Sequence, residues 1–336
     1  MRAASLAVAV LLTACGPSGF EQHLGDYQAR LGRTLELEPI ETGDLPPPRL
    51  PRTSELTLSI DSGSQINLLD FLSLDDCGLQ TLVAHNNSPL GRVATASGRL
   101  VYDLEFLALA VPCLAVLAEN QSDELATALA GAIEHKQANL GKRAWNAIIA
   151  GPEWRDFWKR SPRVMDPLST DLGEPVQSIN RLQQLTTRWL SGDYSVDRTE
   201  LEGLLETLRH HGAGDLMQHL QRQDHILRAL DASIAQQDQP VCWSPEDPKG
   251  QVLGNVVRKF FVGTIQVRSA VLNRELLQLE ASISALETTL ASFETAAYQT
   301  WRQQRDLWLA SAAKAPRNHV DALLPIMEQC GVRPKA

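Results

Sequence analysis

Apolar residues recur every three or four positions over most of the chain after Ser64, and this spacing is typical of amphipathic α-helices. The pattern is clearest over residues 122–150, 174–190, 196–211 and 215–237. Capping residues, glycines or prolines lie at the ends of these segments, as expected for helix boundaries. The sequence therefore predicts an all-α fold, a helical bundle.

The C-terminal part of the chain carries the longest uninterrupted pattern. No glycine or proline occurs from Thr264 to Ala315, and apolar residues recur near heptad spacing. This predicts long amphipathic C-terminal helices. A single straight rod would be about 75 Å long at 1.5 Å per residue. The alternative is a helical hairpin that folds back near residues 281–284, and the pattern alone leaves both open.

Two features of the N-terminal half differ from this pattern. The apolar residues of segment 54–60 alternate with polar ones, but no partner strand follows. We therefore predict a short extended N-terminal arm laid on helices rather than a sheet. The prolines of segment 45–51 separate this arm from a helix predicted over 26–37. Pro112 is expected to kink or restart the helix in which it lies.

The first residues of the chain have the pattern of an export signal. Arg2 is followed by an apolar run over 3–13, which is about as long as a signal-peptide core and too short to span a bilayer. The motif Leu12-Thr13-Ala14-Cys15 resembles the bacterial lipobox. The resemblance implies removal of residues 1–14, a diacylglyceryl group on the sulfur of Cys15 and an acyl group on its new amino terminus. The alternative is a plain signal peptide with a chance cysteine.

This covalent lipid is the only prosthetic group that we expect, with no other cofactor and no metal. Several acyl chains hold a protein durably at a membrane. Gly16 stands where an aspartate would retain a lipoprotein in the inner membrane of enteric-type bacteria. The resemblance therefore implies an outer-membrane lipoprotein that faces the periplasm, held close to the bilayer by a lipidated tether over 15–20.

The charge of the chain bears on its partners. The formal net charge is −9 and no basic patch stands out, which argues against nucleic acid and against electrostatic adhesion to anionic lipid. The expected partners are the membrane, through the lipid, and an envelope protein. After the leader we find no uninterrupted apolar run long enough to span a membrane. A proline-containing stretch separates a predicted N-terminal helical subdomain (21–160) from a C-terminal one (174–336), which holds the long helices.

The four cysteines other than Cys15 form an even set, and disulfides are expected in an oxidising compartment. Three pairings are possible. We favour Cys77–Cys113, because these residues flank consecutive helices, and Cys242–Cys330, because a hairpin brings its two ends within reach of a bridge. Buried free thiols are the alternative.

A longer resemblance covers most of the chain. The segment INLLDFLSLDDCGLQTLVAHNNSPLGRVATASGRLVYDLEFL, over residues 66–107, is similar to an uncharacterised family of Gram-negative lipoproteins that is catalogued as a domain of unknown function. The closing Glu328-Gln329-Cys330-Gly331 fits the same pattern, whereas Pro89 departs from it. The resemblance implies no known activity, so it supplies no catalytic residues.

Three clusters of polar or aromatic residues are candidate sites. Asp76, His85, Asn87 and Arg92 combine groups used in acid–base and anion-binding sites. The alternative is that Asn86, Asn87 and Ser88 cap a helix–helix turn and that the acids face solvent. A histidine-rich stretch, 209–225, has the spacing of metal ligands on one helix face, but glycines interrupt that face.

The third cluster is aromatic. Trp154 and Trp158 could stack on sugar rings, but such pairs are more often core anchors.

No complete catalytic motif is present in the sequence. Together with the long amphipathic helices, this favours a non-enzymatic binding or scaffolding lipoprotein of the cell envelope. The alternative is an envelope hydrolase or lyase that acts on cell-wall or lipid material through Asp76, His85 or Arg92. The sequence identifies no ligand, substrate or oligomeric state.

Overall fold

The computed structural model describes residues 19–40, 42–61, 78–119, 123–159 and 171–332. Most of these residues are helical, and no β-strand occurs among them. The predicted all-α fold is confirmed. The helices are α1 Gly19–Leu35, α2 Thr53–Leu56, α3 Leu79–Asn86, α4 Pro89–Arg92, α5 Ala96–Glu119, α6 Asp123–Ile148, α7 Pro152–Phe157, α8 Gly173–Leu190, α9 Arg198–His210, α10 Gly214–Ala235, α11 Pro248–Val256, α12 Val267–Thr289 and α13 Ala296–Gln329, with a π-helix over Val257–Gln266 and a 3-10 turn over Ala291–Phe293.

Helix α1 begins earlier than predicted and docks on the C-terminal half of the chain. Phe20, Leu24, Tyr27, Leu31 and Leu35 recur at helical spacing and are buried. They face α10, α11 and the π-helix. The end of the predicted tether, which includes Phe20, is therefore part of a packed helix. The buried residues of both predicted subdomains belong to one hydrophobic cluster, and the division into two subdomains stays a prediction.

The alternating segment 54–60 forms the predicted arm only in part, because residues 54–56 belong to α2 and only the residues after them are non-helical. After the single turn of α2 the chain is extended, and it lies against α6 without forming a strand. Asn146 holds this arm from both sides: its Oδ1 accepts from the Leu58 N–H at 2.8 Å and its Nδ2 donates to the Leu58 carbonyl at 2.9 Å. The indole Nε1 of Trp145 donates to the Leu56 carbonyl at 2.8 Å. One turn of α6 therefore satisfies backbone groups that a sheet would otherwise have to pair.

We expect Asn146→Ala to destabilise the protein by about 1–3 kcal/mol, because the substitution leaves two backbone groups of Leu58 without partners. Urea denaturation measures this loss, and amide hydrogen exchange should accelerate over residues 54–60. Asn139→Ala is the matched control on the same helix, since Asn139 donates to the carbonyl of its own helical residue His135. Equal losses from both variants would contradict this role of Asn146.

The C-terminal helices fold back, so the rod alternative is wrong. Helix α12 ends at Thr289 and α13 begins at Ala296, which places the reversal after the predicted 281–284. Thr295 stabilises the new start, because its side chain accepts from the Tyr298 N–H at 3.2 Å. Phe293 anchors the turn on α6: a Cβ added at Gly141 would lie 2.0 Å from the Phe293 ring.

The two arms of this hairpin are not packed along each other. Helix α12 packs mainly on α8, whereas α13 packs on α10. Helix α13 has 34 residues and continues through Pro316 and Pro325, so it is about 50 Å long.

Helix α5 likewise continues through Pro112, where a kink or restart was predicted. Pro112 and Ala108, whose carbonyl loses its helical donor, are both exposed, so water can replace the missing N–H. Within the described ranges, α5 is the one helix long and apolar enough to cross a bilayer, over Ala96–Leu117, whereas the sequence predicted no such segment after the leader. Its buried Asp103 pairs with Arg143 at 2.7 Å and with Lys136, and half of the apolar window is buried, as in a core helix.

The predicted Cys242–Cys330 disulfide is present, with the two Cα atoms 5.1 Å apart. It joins the loop before α11 to the end of α13, so residues 242–330 form a covalently closed segment that contains α11, α12 and α13. Cys113, on α5, is also disulfide-bonded. Its predicted partner, Cys77, lies outside the described residues.

Candidate functional site

The predicted cluster of polar residues is only partly described by the structure. His85 and Asn87 are exposed at the end of α3, where the Asn87 N–H caps the helix. Asp76 and the side chain of Arg92 lie outside the described residues, as does Cys15. His85 lines a shallow depression with Glu105 and Arg198, so a carboxylate and a guanidinium do approach it, but from other helices. The grouping of the four predicted residues stays a prediction.

The other two sequence clusters take ordinary structural positions. His211 follows α9 and lies 3.5 Å from Glu174, whereas His219 is buried beside Phe20. In the part of the chain that the structure describes, no group of three or more histidine, cysteine, aspartate or glutamate residues could hold a metal ion. Trp154 is completely buried and stacks with Phe157, which makes it a core anchor rather than a sugar platform.

A cavity of about 230 Å³ lies where α10, α12 and α13 diverge, and it is the best-defined candidate site. It exists because the two arms of the hairpin pack on different neighbours. Its apolar wall consists of Leu216, Met217, Leu276, Leu279, Ile283 and Leu309. Trp158 and six polar residues complete the lining: Glu280, Ser284, Glu287, Arg302, Arg305 and Asp306. Apolar walls with a few convergent polar groups are typical of small-molecule sites.

A buried ion pair forms one end of this cavity. The Arg305 guanidinium donates to both carboxylate oxygens of Glu287, at 2.6 and 3.0 Å, and its Nε donates to Asp306 at 2.8 Å. The Tyr298 hydroxyl donates to Glu287 at 2.7 Å. The Arg305 and Glu287 side chains are only 5% and 7% exposed. Such bidentate, charge-assisted pairs are strong and geometrically specific.

The environment of Arg305 keeps it charged. Burial alone would lower the pKa of its guanidinium, but the hydrogen bonds and charge of Glu287 outweigh this effect and raise the pKa. The guanidinium also lies over the rings of Trp158 and Trp301, 5.4 and 5.0 Å from their centroids. This end of the cavity is therefore a fixed structure in which each charge already has its counter-charge.

Glu280 differs from the other acids of the cavity. It is half-buried on α12 and forms no hydrogen bond or salt bridge with any described residue. Burial raises the pKa of its carboxyl, the nearby charge of Asp306 raises it further, and Arg305 only partly opposes these effects. An acid held in surroundings that disfavour its charge is a frequent mark of a functional site.

We expect Glu280→Gln to raise the free energy of unfolding at pH 7. The folded-state pKa of Glu280 lies above its ordinary value of 4.5, so the ionised carboxylate opposes folding wherever it is charged. The gain is present above the folded-state pKa and disappears as the pH falls below the unfolded value. Because Glu280 is partly solvated, the gain should stay below about 1 kcal/mol.

Urea denaturation of the two proteins at pH 7 and at pH 4 measures this effect. Glu202→Gln, at an exposed position of α9, is the matched control. It should leave the free energy of unfolding unchanged at both pH values. A gain that is equal at both pH values would show that the ionised carboxylate is not its source.

A second buried network joins α1, α10 and α13. His319 bonds Asp231 through Nδ1 and Tyr27 through Nε2, the latter at 2.6 Å. In a neutral imidazole that donates its Nδ1–H to the carboxylate, Nε2 would accept from the Tyr27 hydroxyl. Burial raises the pKa of Tyr27, and Asp231 raises it further. This carboxylate–imidazole–hydroxyl order resembles that of hydrolytic triads, but Tyr27 and His319 are completely buried, so the network holds helices together.

The cavity residues were not among the predicted site residues, although the sequence carries a signal for them. Glu287 follows Glu280 by seven positions, within the heptad pattern of apolar residues on α12. Arg305 lies four positions after Trp301 and four before Leu309, also on an otherwise apolar face. Charged residues at core positions of two neighbouring helices indicate a buried ion pair, because unpaired charges are rarely buried.

The fold and the cavity define an all-α, disulfide-bridged helical protein. The chain belongs to the DUF3080 family, described as a protein of unknown function, whose model matches residues 24–334. The resemblance to an uncharacterised family is confirmed at this level, and the lipoprotein character stays a prediction. No curated protein and no solved structure matches the chain.

Proposed function

We propose that this protein is a lipid-anchored envelope protein that faces the periplasm and binds a ligand or partner rather than catalysing a reaction. The cavity between α10, α12 and α13 carries this proposal. Its buried charges, those of Arg305 and Glu287, are held by mutual hydrogen bonds, and its apolar wall remains available for contact. Such an arrangement suits recognition, because the charged end is fixed and the apolar wall offers a contact surface for a ligand.

The proposed anchor is supported by the lipobox-like motif that ends at Cys15. Helix α1 begins at Gly19, four residues later, and four extended residues span at most about 14 Å. A lipid on Cys15 would therefore keep α1 next to the membrane surface. The Cys242–Cys330 disulfide is in keeping with an oxidising compartment such as the periplasm.

Cys15→Ser is expected to abolish acylation and to move the protein from the membrane fraction to the soluble fraction. The thiol is the group that carries the diacylglycerol, so serine cannot replace it. Mass spectrometry of the protein from its native cells measures the lipid, and cell fractionation measures the location. In the control variant Gly16→Asp, the protein should keep its lipid but shift towards the inner membrane. Wild-type protein without lipid and with its leader intact would refute the anchor.

The proposed binding role is tested separately, by crosslinking in intact cells and by native mass spectrometry of the purified protein. We expect repeated recovery of one envelope protein or one small molecule. Random neighbours and an empty protein would contradict the binding role, whatever the result for Cys15.

A second candidate function is an envelope hydrolase or lyase. The observation that favours it is the depression that His85 lines together with Glu105 and Arg198. The Glu105 carboxylate and the Arg198 guanidinium are 3.9 Å apart. Incubation with cell-wall fragments and with phospholipids, followed by mass spectrometry of the products, tests this function. Conversion by the wild type that His85→Ala abolishes would establish it and displace the binding proposal.

A further inference from the structure

We propose that the cavity between α10, α12 and α13 binds a small organic amine, with its ammonium group at Glu280 and Asp306 and its apolar part against Leu279, Ile283 and Leu309. This inference rests on the proposed binding function and adds the chemical class of the ligand.

The charges of the cavity favour a cation. Both arginines are already engaged, Arg305 with Glu287 and Asp306, and Arg302 with Glu294 through two contacts of 2.8 and 3.0 Å. The described residues provide no salt bridge to Glu280. The lining as a whole therefore has more carboxylates than cationic groups.

The position of Glu280 explains how a cation would gain affinity. Burial and the charge of Asp306 both disfavour the ionised Glu280, as the raised pKa shows. An ammonium group between the two carboxylates would replace this repulsion by two attractions. It would also donate hydrogen bonds to the Glu280 carboxylate, which burial has partly dehydrated.

The apolar wall argues for an organic cation rather than a metal ion. Calcium takes six to eight oxygen ligands, whereas the exposed side of the cavity offers Glu280, the Ser284 hydroxyl and the Asp306 oxygen that Arg305 does not bond. A metal ion would also leave the apolar wall without a partner. A cavity of about 150 Å³ holds one benzene molecule, so the 230 Å³ here suits an amine with a short alkyl or aromatic tail.

An anionic ligand fits the same site poorly. To reach Arg305 it would have to displace Glu287, which would leave a 7% exposed carboxylate without its counter-ion. It would also face Glu280 and Asp306 at the rim. A neutral ligand would contact the wall without using either acid.

Binding of hexylamine, 1-hexanol and hexanoate to the full chain, purified in a nonionic detergent, separates these alternatives. The three probes share one apolar tail and differ in charge. Ligand-observed NMR against a detergent blank at pH 7 should give at least about tenfold tighter binding for hexylamine than for hexanol, which corresponds to 1.4 kcal/mol, and the weakest binding for hexanoate.

Variants of two glutamates make this test specific. In Glu280→Gln the affinity for hexylamine should fall towards that for hexanol, since only Asp306 then attracts the ammonium group, whereas Glu202→Gln should keep the wild-type preference. Affinity for the amine should also weaken as the pH falls through the pKa of Glu280, since the protonated carboxyl no longer attracts a cation. Glu280→Gln is expected to fold, because the substitution removes a charge that opposes folding.

The outcomes also separate this inference from the proposed function. Equal binding of hexanol and hexylamine, tighter binding of hexanoate, or unchanged amine binding in Glu280→Gln would each overturn the amine assignment. The binding role would survive such results if crosslinking or native mass spectrometry recovers a specific partner. If none of the three probes binds, the amine assignment is wrong as well.

Discussion

Replacement of Arg305 by methionine is expected to destabilise the protein by about 3–5 kcal/mol, the range typical of a buried ion pair that loses one partner. The loss arises mainly from Glu287, which would remain buried with only the Tyr298 hydroxyl as a close donor. Methionine fills much of the volume of arginine, so the change isolates the charge from the packing over Trp158 and Trp301. Equilibrium urea denaturation measures the difference.

Two further variants identify the source of this loss. Arg305→Met combined with Glu287→Gln should recover part of the stability, because the unpaired buried charge is gone. Arg302→Met is the matched control one turn away, where the Arg302 side chain is 33% exposed and Glu294 11%, and it should cost less than Arg305→Met because water can partly solvate the carboxylate that is left. If the double variant is as unstable as Arg305→Met, the buried charge is not the cause.

Loss of the Cys242–Cys330 disulfide should have a comparably large effect. The bridge spans 88 positions, and a loop of this size corresponds to somewhat more than 4 kcal/mol in the chain-entropy model, although removal of native bridges typically costs about 2–5 kcal/mol. We expect Cys242→Ser with Cys330→Ser to lose stability within that range. Guanidinium denaturation under non-reducing conditions measures it.

Reducing agent provides the control for this experiment. The wild type with reductant should unfold at or below the midpoint of the double serine variant, since Cys113 is also disulfide-bonded. A double variant with wild-type stability would show that the packing of α11 against α13 holds the two ends of this segment together without the bridge.

The fold class was predictable because it depends on local periodicity. Helices α8 and α9 fall within about two residues of the segments predicted over 174–190 and 196–211. The prediction was less accurate where tertiary contacts override local rules. Pro112, Pro316 and Pro325 all lie inside continuous helices, because packing of the flanking turns can compensate for a missing backbone hydrogen bond.

The position of the hairpin turn illustrates the same limit. Residues 290–295 contain no glycine or proline, so composition gives no turn signal there. The only local signal is Thr295 as an N-cap, and threonine is common elsewhere in the pattern. What selects this turn is the contact of Phe293 with Gly141, from a helix about 150 residues away along the chain.

The candidate site was less predictable than the fold. The polar cluster around His85 was conspicuous because its residues are adjacent in sequence, yet the described cavity uses residues from three separate helices. Glu280 and Arg305 are 25 positions apart, and nothing local to either one shows that they face the same space. Their chemistry becomes visible only when α12 and α13 are placed.

The sequence by itself determined that the chain is helical, and it favoured an arm that forms no sheet and a bridge between Cys242 and Cys330. These features follow from residue spacing and backbone chemistry, which act over a few positions. Only the tertiary structure decided where the hairpin turns, that α1 docks on the C-terminal half, and that Arg305 and Glu287 form the end of a cavity. Those features depend on which distant side chains exclude water together, and that burial is a property of the assembled helices.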